Sequence, residues 1–227
     1  MTTNRVDQID EKVKIRRVLA SVSDKRNLDL LVKGLLELNP EVVFYSTGGT
    51  FNYIKDVLGE RAKKNLVQVS EYTGQPETQG GLVKTLDFKI YLGLLTETYN
   101  ESHAKDLERT GAYPMDMTVV NLYPFRETVS KSGITAEDAR ANIDIGGPCM
   151  IRASAKNFIR VAPVVDPNDY PLILEALKKE GGAMTLSLRY ELAKKAFSHT
   201  AAYDAAIAEY LSARNFTSDI DPIYRRM

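Results

Sequence analysis

The sequence predicts an α/β protein, a parallel β-sheet with helices on both faces and a C-terminal helical extension. Three observations predict it. From residue 17 onward, short β-branched or aromatic runs alternate with segments of helical period. Polar or Gly-containing turns separate them. Beyond Pro167 the sequence becomes helical, and Ala-rich toward its end. Strand–turn–helix alternation is the pattern of parallel sheets whose crossovers cover both faces.

Residues 1–15 are polar and charged and read as a flexible N-terminal segment. Residues 17–22 (Arg-Val-Leu-Ala-Ser-Val) are the first strand, ended by Ser23-Asp24-Lys25. Apolar residues at 28, 31, 32, 35 and 36 give 27–38 a helical period, stopped by Asn39-Pro40. Residues 41–45 are a second strand, β-branched and aromatic. Ser46-Thr47-Gly48-Gly49-Thr50 is a turn, 51–58 a short helix closed by Gly59, and 66–69 a third strand. Residues 73–82 form a Gly-rich loop, and 102–110 are helical. Residues 117–122 are the clearest later strand, followed by short helices near 125–131 and 135–142. Pro148 suits the first position of a helix running to about Asn157. A last strand spans 161–165, and helices cover 170–179 and 186–213. A soft boundary falls near 166, so 16–166 form the sheet domain and 167–227 pack on it.

Composition narrows the function classes. The 227 residues amount to about one and a half domains. Thirty basic and thirty acidic residues cancel, which excludes a chain-wide electrostatic grip on nucleic acid or membrane. A single cysteine, Cys149, excludes an internal disulfide and a cysteine-based zinc site. Two histidines, His103 and His199, argue against a His-rich metal site. No window of about eighteen residues is free of charge, and the N-terminus lacks the apolar core of a signal peptide. The chain reads as cytoplasmic.

In open parallel sheets, ligands bind where the carboxyl ends of strands meet helix N-termini. Four segments fall there: 21–25, 46–50, 121–125 and the stretch around Asp144. The first two combine hydroxyls, exposed N–H groups and a lysine, which suits a phosphate monoester. They match neither the dinucleotide fingerprint nor the P-loop, and on spacing alone a pair of capped turns is the better account. Lys84-Thr85 is a third phosphate candidate, or a solvated lysine at a helix start. Lys156 follows Arg152 by one turn and reads either as a proton carrier of lowered pKa or as a lysine complementing a helix dipole. Asp144 can be a turn aspartate, Tyr123 a buried aromatic, Cys149 a buried thiol and His199 a packing histidine.

Taken in order, these strings resemble the IMP cyclohydrolase family, the N-terminal half of bifunctional purine biosynthesis proteins. The matching strings are Ser21-Val22-Ser23-Asp24-Lys25, Ser46-Thr47-Gly48-Gly49-Thr50, Val83-Lys84-Thr85-Leu86 and Val119-Val120-Asn121-Leu122-Tyr123-Pro124-Phe125. They continue with Asn142-Ile143-Asp144-Ile145-Gly146-Gly147-Pro148, Arg152-Ala153-Ser154-Ala155-Lys156-Asn157 and Lys195-Ala196-Phe197-Ser198-His199-Thr200-Ala201-Ala202-Tyr203-Asp204. The resemblance implies a methylglyoxal-synthase-like fold over 16–166. It implies ring closure of formamidoimidazole carboxamide ribonucleotide (FAICAR) to IMP with loss of water, the last step of de novo purine biosynthesis. It assigns phosphate contacts to Ser23, Lys25, Thr47, Gly48, Gly49, Thr50, Lys84 and Thr85, and the base pocket to Asn121, Leu122, Asp144 and Ile145. Lys156 corresponds to the proton carrier, and Lys84, Tyr123 and Asp144 to further catalytic groups. Neither metal nor cofactor is implied. The partners implied are the nucleotide itself, with room for a separate AICAR transformylase polypeptide and for a homodimer.

The chemistry suits those residue types. The carboxamide nitrogen attacks a formyl carbon of the same molecule, so the enzyme's tasks are to lock the rotamer, stabilise the oxyanion and move protons.

The sequence departs from the family string Gly-Arg-Val-Lys-Thr-Leu-His-Pro. Leu82 stands for its arginine, Asp87 for its histidine and Phe88 for its proline. Tyr91 and Phe158 stand where two further histidines are usual. Losing a phosphate-site arginine removes a charge-assisted contact, and Asp87 is expected to add a negative charge nearby. Two readings follow: an active cyclohydrolase with a remodelled loop, or a regulatory domain of the same fold that binds a ribonucleotide or sugar phosphate without turnover. Methylglyoxal synthase itself is disfavoured, because neither histidine lies at a strand end.

Overall fold

The computed structural model describes residues 5–75 and 84–225. Five strands form a parallel sheet in the order β4-β3-β2-β5-β6. They are β2 (Arg17–Val22), β3 (Val43–Ser46), β4 (Leu66–Gln68), β5 (Met117–Asn121) and β6 (Ala162–Val164). The register pairs Val18 with Phe44 on one side and with Met117 on the other. Strand β1 (Lys12–Lys14) pairs antiparallel with β7 (Ala183–Thr185) in a separate ribbon.

The helices are α1 (Leu28–Leu38), α2 (Gly48–Leu58), α3 (Ala62–Asn65), α4 (Val69–Thr73), α5 (Phe88–Leu95) and α6 (Glu101–Thr110). They continue with α7 (Phe125–Val129), α8 (Ala136–Ala141), α9 (Gly146–Lys156), α10 (Tyr170–Lys179) and α11 (Leu186–Ser212). The two-residue period of the strands sorts side chains to two cores. On one face Val18, Ala20 and Val22 pack with Leu28, Leu31 and Leu35 of α1, Ile54 of α2 and Ile173 and Leu177 of α10. On the other, Leu19, Tyr45 and Val120 pack with Ile90 and Leu94 of α5, Ile151 and Ala155 of α9 and Ala193 and Ala196 of α11. This is the parallel α/β sheet with helices on both faces that the alternation predicts.

Differences from the sequence reading have identifiable physical causes. Part of the expected flexible lead-in is ordered as β1. Its neighbouring carbonyls, Asp10 and Glu11, accept the buried Arg189 guanidinium from α11, and Glu11 also accepts the Leu186 N–H. Helix α2 starts at Gly48, inside the segment read as a turn. Helix α5 is unassigned by the sequence reading because its face is set by Ile90, Gly93 and Leu94 rather than by a long period. A Cβ at Gly93 would collide with the Tyr113 carbonyl, so α5 can approach that chain closely only with glycine there. Among the described residues, no helix is long and apolar enough to cross a membrane.

Candidate functional site

The chain leaves β2 outward through β3 and β4, then crosses back to β5 and β6. Connections from β2 and β5 therefore diverge, and a crevice opens at their carboxyl ends. A cleft of about 700 Å³ lies there. The loop after β2 supplies Ser23 and Lys25, the start of α2 supplies Thr47 to Thr50, and β5 and its loop supply Asn121 and Tyr123. Lys84, Thr85 and the 141–147 segment close it.

One end is built for an anion. Thr47 precedes α2 in an extended conformation, and its side chain makes no capping hydrogen bond. The first N–H groups of α2 thus face the cleft without a capping side chain, at the positive end of the helix dipole. A Cβ on Gly48 would lie 3.7 Å from the Lys84 Nζ, and one on Gly49 3.9 Å from the Lys25 Nζ. Two ammonium groups converge on one helix N-terminus, the arrangement that holds a phosphate. Gly48 has a φ of 50°, which β-carbon sterics disfavour in other residues.

Two residues expected to contact ligand also hold the loops. The Asn121 Oδ1 accepts the N–H groups of Ser23 (2.7 Å) and Asp24 (2.9 Å), and its Nδ2 donates to the Asp24 carbonyl (2.9 Å). The Thr50 hydroxyl accepts the Val22 N–H (3.0 Å) and donates to the Val22 carbonyl (3.1 Å). Both side chains border the cleft and tie its frame together.

The opposite wall is the start of α9. The Asp144 Oδ1 accepts the Gly147 N–H at 2.9 Å, and the Asp144 N–H donates to the Tyr203 hydroxyl at 2.8 Å. Burial raises the Asp144 carboxyl above its ordinary pKa, and the Gly147 N–H partly opposes the shift. A Cβ on Gly147 would lie 2.6 Å from Leu122 Cδ2, and one on Gly146 2.7 Å from the Thr85 hydroxyl. A side chain at either position would have to displace these groups. Tyr123 and Ile145 stand exposed at the cleft.

The cleft brings together Ser23, Lys25, Thr47, Gly48, Gly49, Thr50, Lys84, Thr85, Asn121, Tyr123, Asp144 and Ile145. It does not include two expected residues. Leu122 is buried beneath Gly147 and borders a neighbouring hollow at the β5 and β6 ends. Lys156 is exposed at the far end of α9, ten residues and about 15 Å of helix from the Gly146 end. Asp87 does not line the cleft either. It is buried as the N-cap of α5, accepting the Lys89 N–H at 2.8 Å. Phe158 packs against Tyr190 at 5.3 Å, and Tyr91 joins the core beside α9, where burial raises its hydroxyl pKa. Leu82 and the Gly80-Gly81 loop lie outside the described residues. Met150 and Ile143 line the cleft without having been singled out. Met150 was legible in principle, since it lies one helical turn after Gly146 on the same face.

Among the described residues, no three His, Cys, Asp or Glu side chains cluster as a metal site. Residues 27–149, more than half of the chain, match the MGS-like domain family. The chain belongs to the MGS-like domain family. Residues 154–225 of this MGS-like chain match a second family, the AICARFT/IMPCHase bienzyme. The chain is 50% identical over 198 residues to the bifunctional purine biosynthesis protein PurH of Bacillus subtilis (strain 168), covering 87% of this chain and 37% of that protein. It is 46% identical over 200 residues to PurH of Thermoanaerobacter sp. (strain X514), covering 88% and 38%. The MGS-like chain thus spans less than two-fifths of these relatives' length. The crystal structure of ForH is 34% identical with a TM-score of 0.69, covering 86% of this chain and 98% of that one.

Proposed function

We propose that the chain is an IMP cyclohydrolase acting on FAICAR. The observation that carries this reading is the polarity of the cleft. Lys25 and Lys84 meet at the α2 N-terminus on one side, and a half-buried carboxyl, Asp144, stands at the α9 start on another. A phosphorylated nucleotide has that same division between a dianionic end and a reacting base.

In this reading the phosphate anchors the substrate, and the cleft walls restrict the carboxamide and formyl groups to the reacting rotamer. A carbon–nitrogen bond forms between the carboxamide nitrogen and the formyl carbon. The formyl carbon–oxygen bond then breaks, and the oxygen departs as water with one proton from each of the two nitrogens. Asp144 is the base that takes a proton from the attacking nitrogen, because burial has raised its proton affinity. The Tyr123 hydroxyl donates to the developing oxyanion. No step is given to Lys156, which stands at the other end of α9. Thr50 and Asn121 keep the loops in place, and Lys84 serves the phosphate end. A cytoplasmic setting, a transformylase that supplies the substrate and a homodimeric state belong to the same proposal.

The test is absorbance-monitored conversion of FAICAR to IMP by the pure protein, with calorimetric titration of IMP alongside. Turnover supports the reading. No turnover at millimolar substrate, with IMP binding retained, overturns it in favour of a nucleotide-binding domain.

A further inference from the structure

Helix α11 lies outside the cleft-forming loops, yet one of its side chains touches one of them and the start of the helix that follows another. The Tyr203 hydroxyl accepts the Asp144 N–H at 2.8 Å. The Tyr203 ring packs edge-on against Phe125, with centroids 6.2 Å apart and planes at 69°. Phe125 is tied to Tyr123 through its N–H, which donates to the Tyr123 carbonyl at 2.8 Å, with Pro124 stiffening the link. Seven residues further along the same helix face, Tyr210 packs on Phe125 at 5.8 Å and 89°. Its hydroxyl donates to the Thr135 carbonyl at 3.4 Å, at the start of the segment that leads through α8 to Asp144. Tyr203 itself is buried and so held in place by packing.

We propose that Tyr203 is a positioning residue that sets Asp144 and Tyr123 against each other, fixing one by a hydrogen bond and the other through Phe125. The 142–145 backbone between α8 and α9 carries no regular structure, and the Gly147 N–H holds the Asp144 carboxyl by one oxygen only. An N–H anchored to a packed tyrosine supplies a further constraint, and small displacements of a reacting group cost rate steeply. The kinetic readout rests on the cyclohydrolase reading; the geometric one does not.

The test is Tyr203→Phe, which keeps the ring on Phe125 and removes only the acceptor. In a wild-type protein that turns over FAICAR, kcat falls about tenfold or more while KM and the IMP Kd stay within about twofold. An unchanged kcat overturns the proposal, as does a parallel loss of kcat and IMP binding. Amide hydrogen exchange at Asp144 is measured on both proteins. Faster exchange confined to the 142–147 stretch supports the proposal, and unchanged protection there overturns it. A wild-type protein without turnover sinks the cyclohydrolase reading alone, and the exchange measurement still decides the role of Tyr203.

Discussion

Asn121 holds Ser23 by accepting its backbone N–H at 2.7 Å, so the last residue of strand β5 fixes the turn that leads to Lys25. The same carboxamide accepts from and donates to Asp24, which fully specifies its flip. Asn121→Asp keeps the acceptor but sets a carboxylate oxygen against the Asp24 carbonyl. The expected result is an IMP Kd raised about tenfold or more by titration calorimetry. Asn121→Ala is expected to weaken binding similarly, because both N–H groups then lack their acceptor. Unchanged binding in both variants would show that the turn holds without it.

Lys25 and Lys84 reach neighbouring glycines at the start of α2. Each is expected to contribute a charge-assisted contact of about 1.5–3 kcal/mol to a bound phosphate. Lys25→Ala and Lys84→Ala should each weaken IMP binding by about tenfold or more and flatten its dependence on ionic strength. Inosine, which lacks the phosphate, should bind both variants as it binds the wild type. Equal losses for inosine would relocate the lysines to the base end.

The sheet was legible in the sequence because Val18 to Val22 and Met117 to Asn121 are short, mostly apolar runs bounded by turns, as strands buried on both faces tend to be. The ligand-facing loops were legible because they follow those runs. What stayed hidden was direction and commitment. Thr50 and Asn121 look like ligand contacts by type, but only coordinates show their polar atoms already engaged by Val22, Ser23 and Asp24. Lys156 shares a helix with the cleft wall, and a string match does not reveal that it stands at the helix's other end. Strand β1 was hidden because its support comes from Arg189, some 180 positions away in the chain.

Asp87 illustrates the same point and gives a prediction. Its carboxylate caps α5 through the Lys89 N–H. Asp87→Ala should cost about 1 kcal/mol in urea unfolding, whereas Asp87→Asn, which can still cap, should cost much less. Neither should alter the IMP Kd beyond about twofold. A tighter Kd in both variants would mean that the charge reaches the phosphate after all.

Arg189 is fully buried and donates to the carbonyls of Asp10, Glu11, Phe158, Ile159 and Met184. It joins the β1–β7 ribbon to the loop after α9. Arg189→Met fills much of the volume but leaves those carbonyls without their donor, at a cost of about 3 kcal/mol or more. The measurement is chemical denaturation, with proteolysis near residues 10–15 as a local check. A loss below about 1 kcal/mol would show that the N-terminal ribbon contributes little to the fold.

His199 supplies the pH prediction. Its Nε2 is buried with no hydrogen-bond partner among the described residues, and burial depresses its pKa below 6.5. Asp166 opposes that shift and Lys195 reinforces it, and those two groups are themselves paired at 2.6 Å. The unfolded chain takes up a proton near pH 6.5, while the folded chain does so only at lower pH. Between those values the unfolded state holds more protons, so stability falls as pH drops below about 6.5 and levels off once the folded imidazole is also charged. Carboxylates add their own slope further down, so the decisive quantity is the difference between wild type and His199→Gln. Urea midpoints of the two proteins should keep a constant offset above pH 7 and converge or cross on acidification toward pH 5. A constant offset across that range would mean that His199 titrates as it does in water.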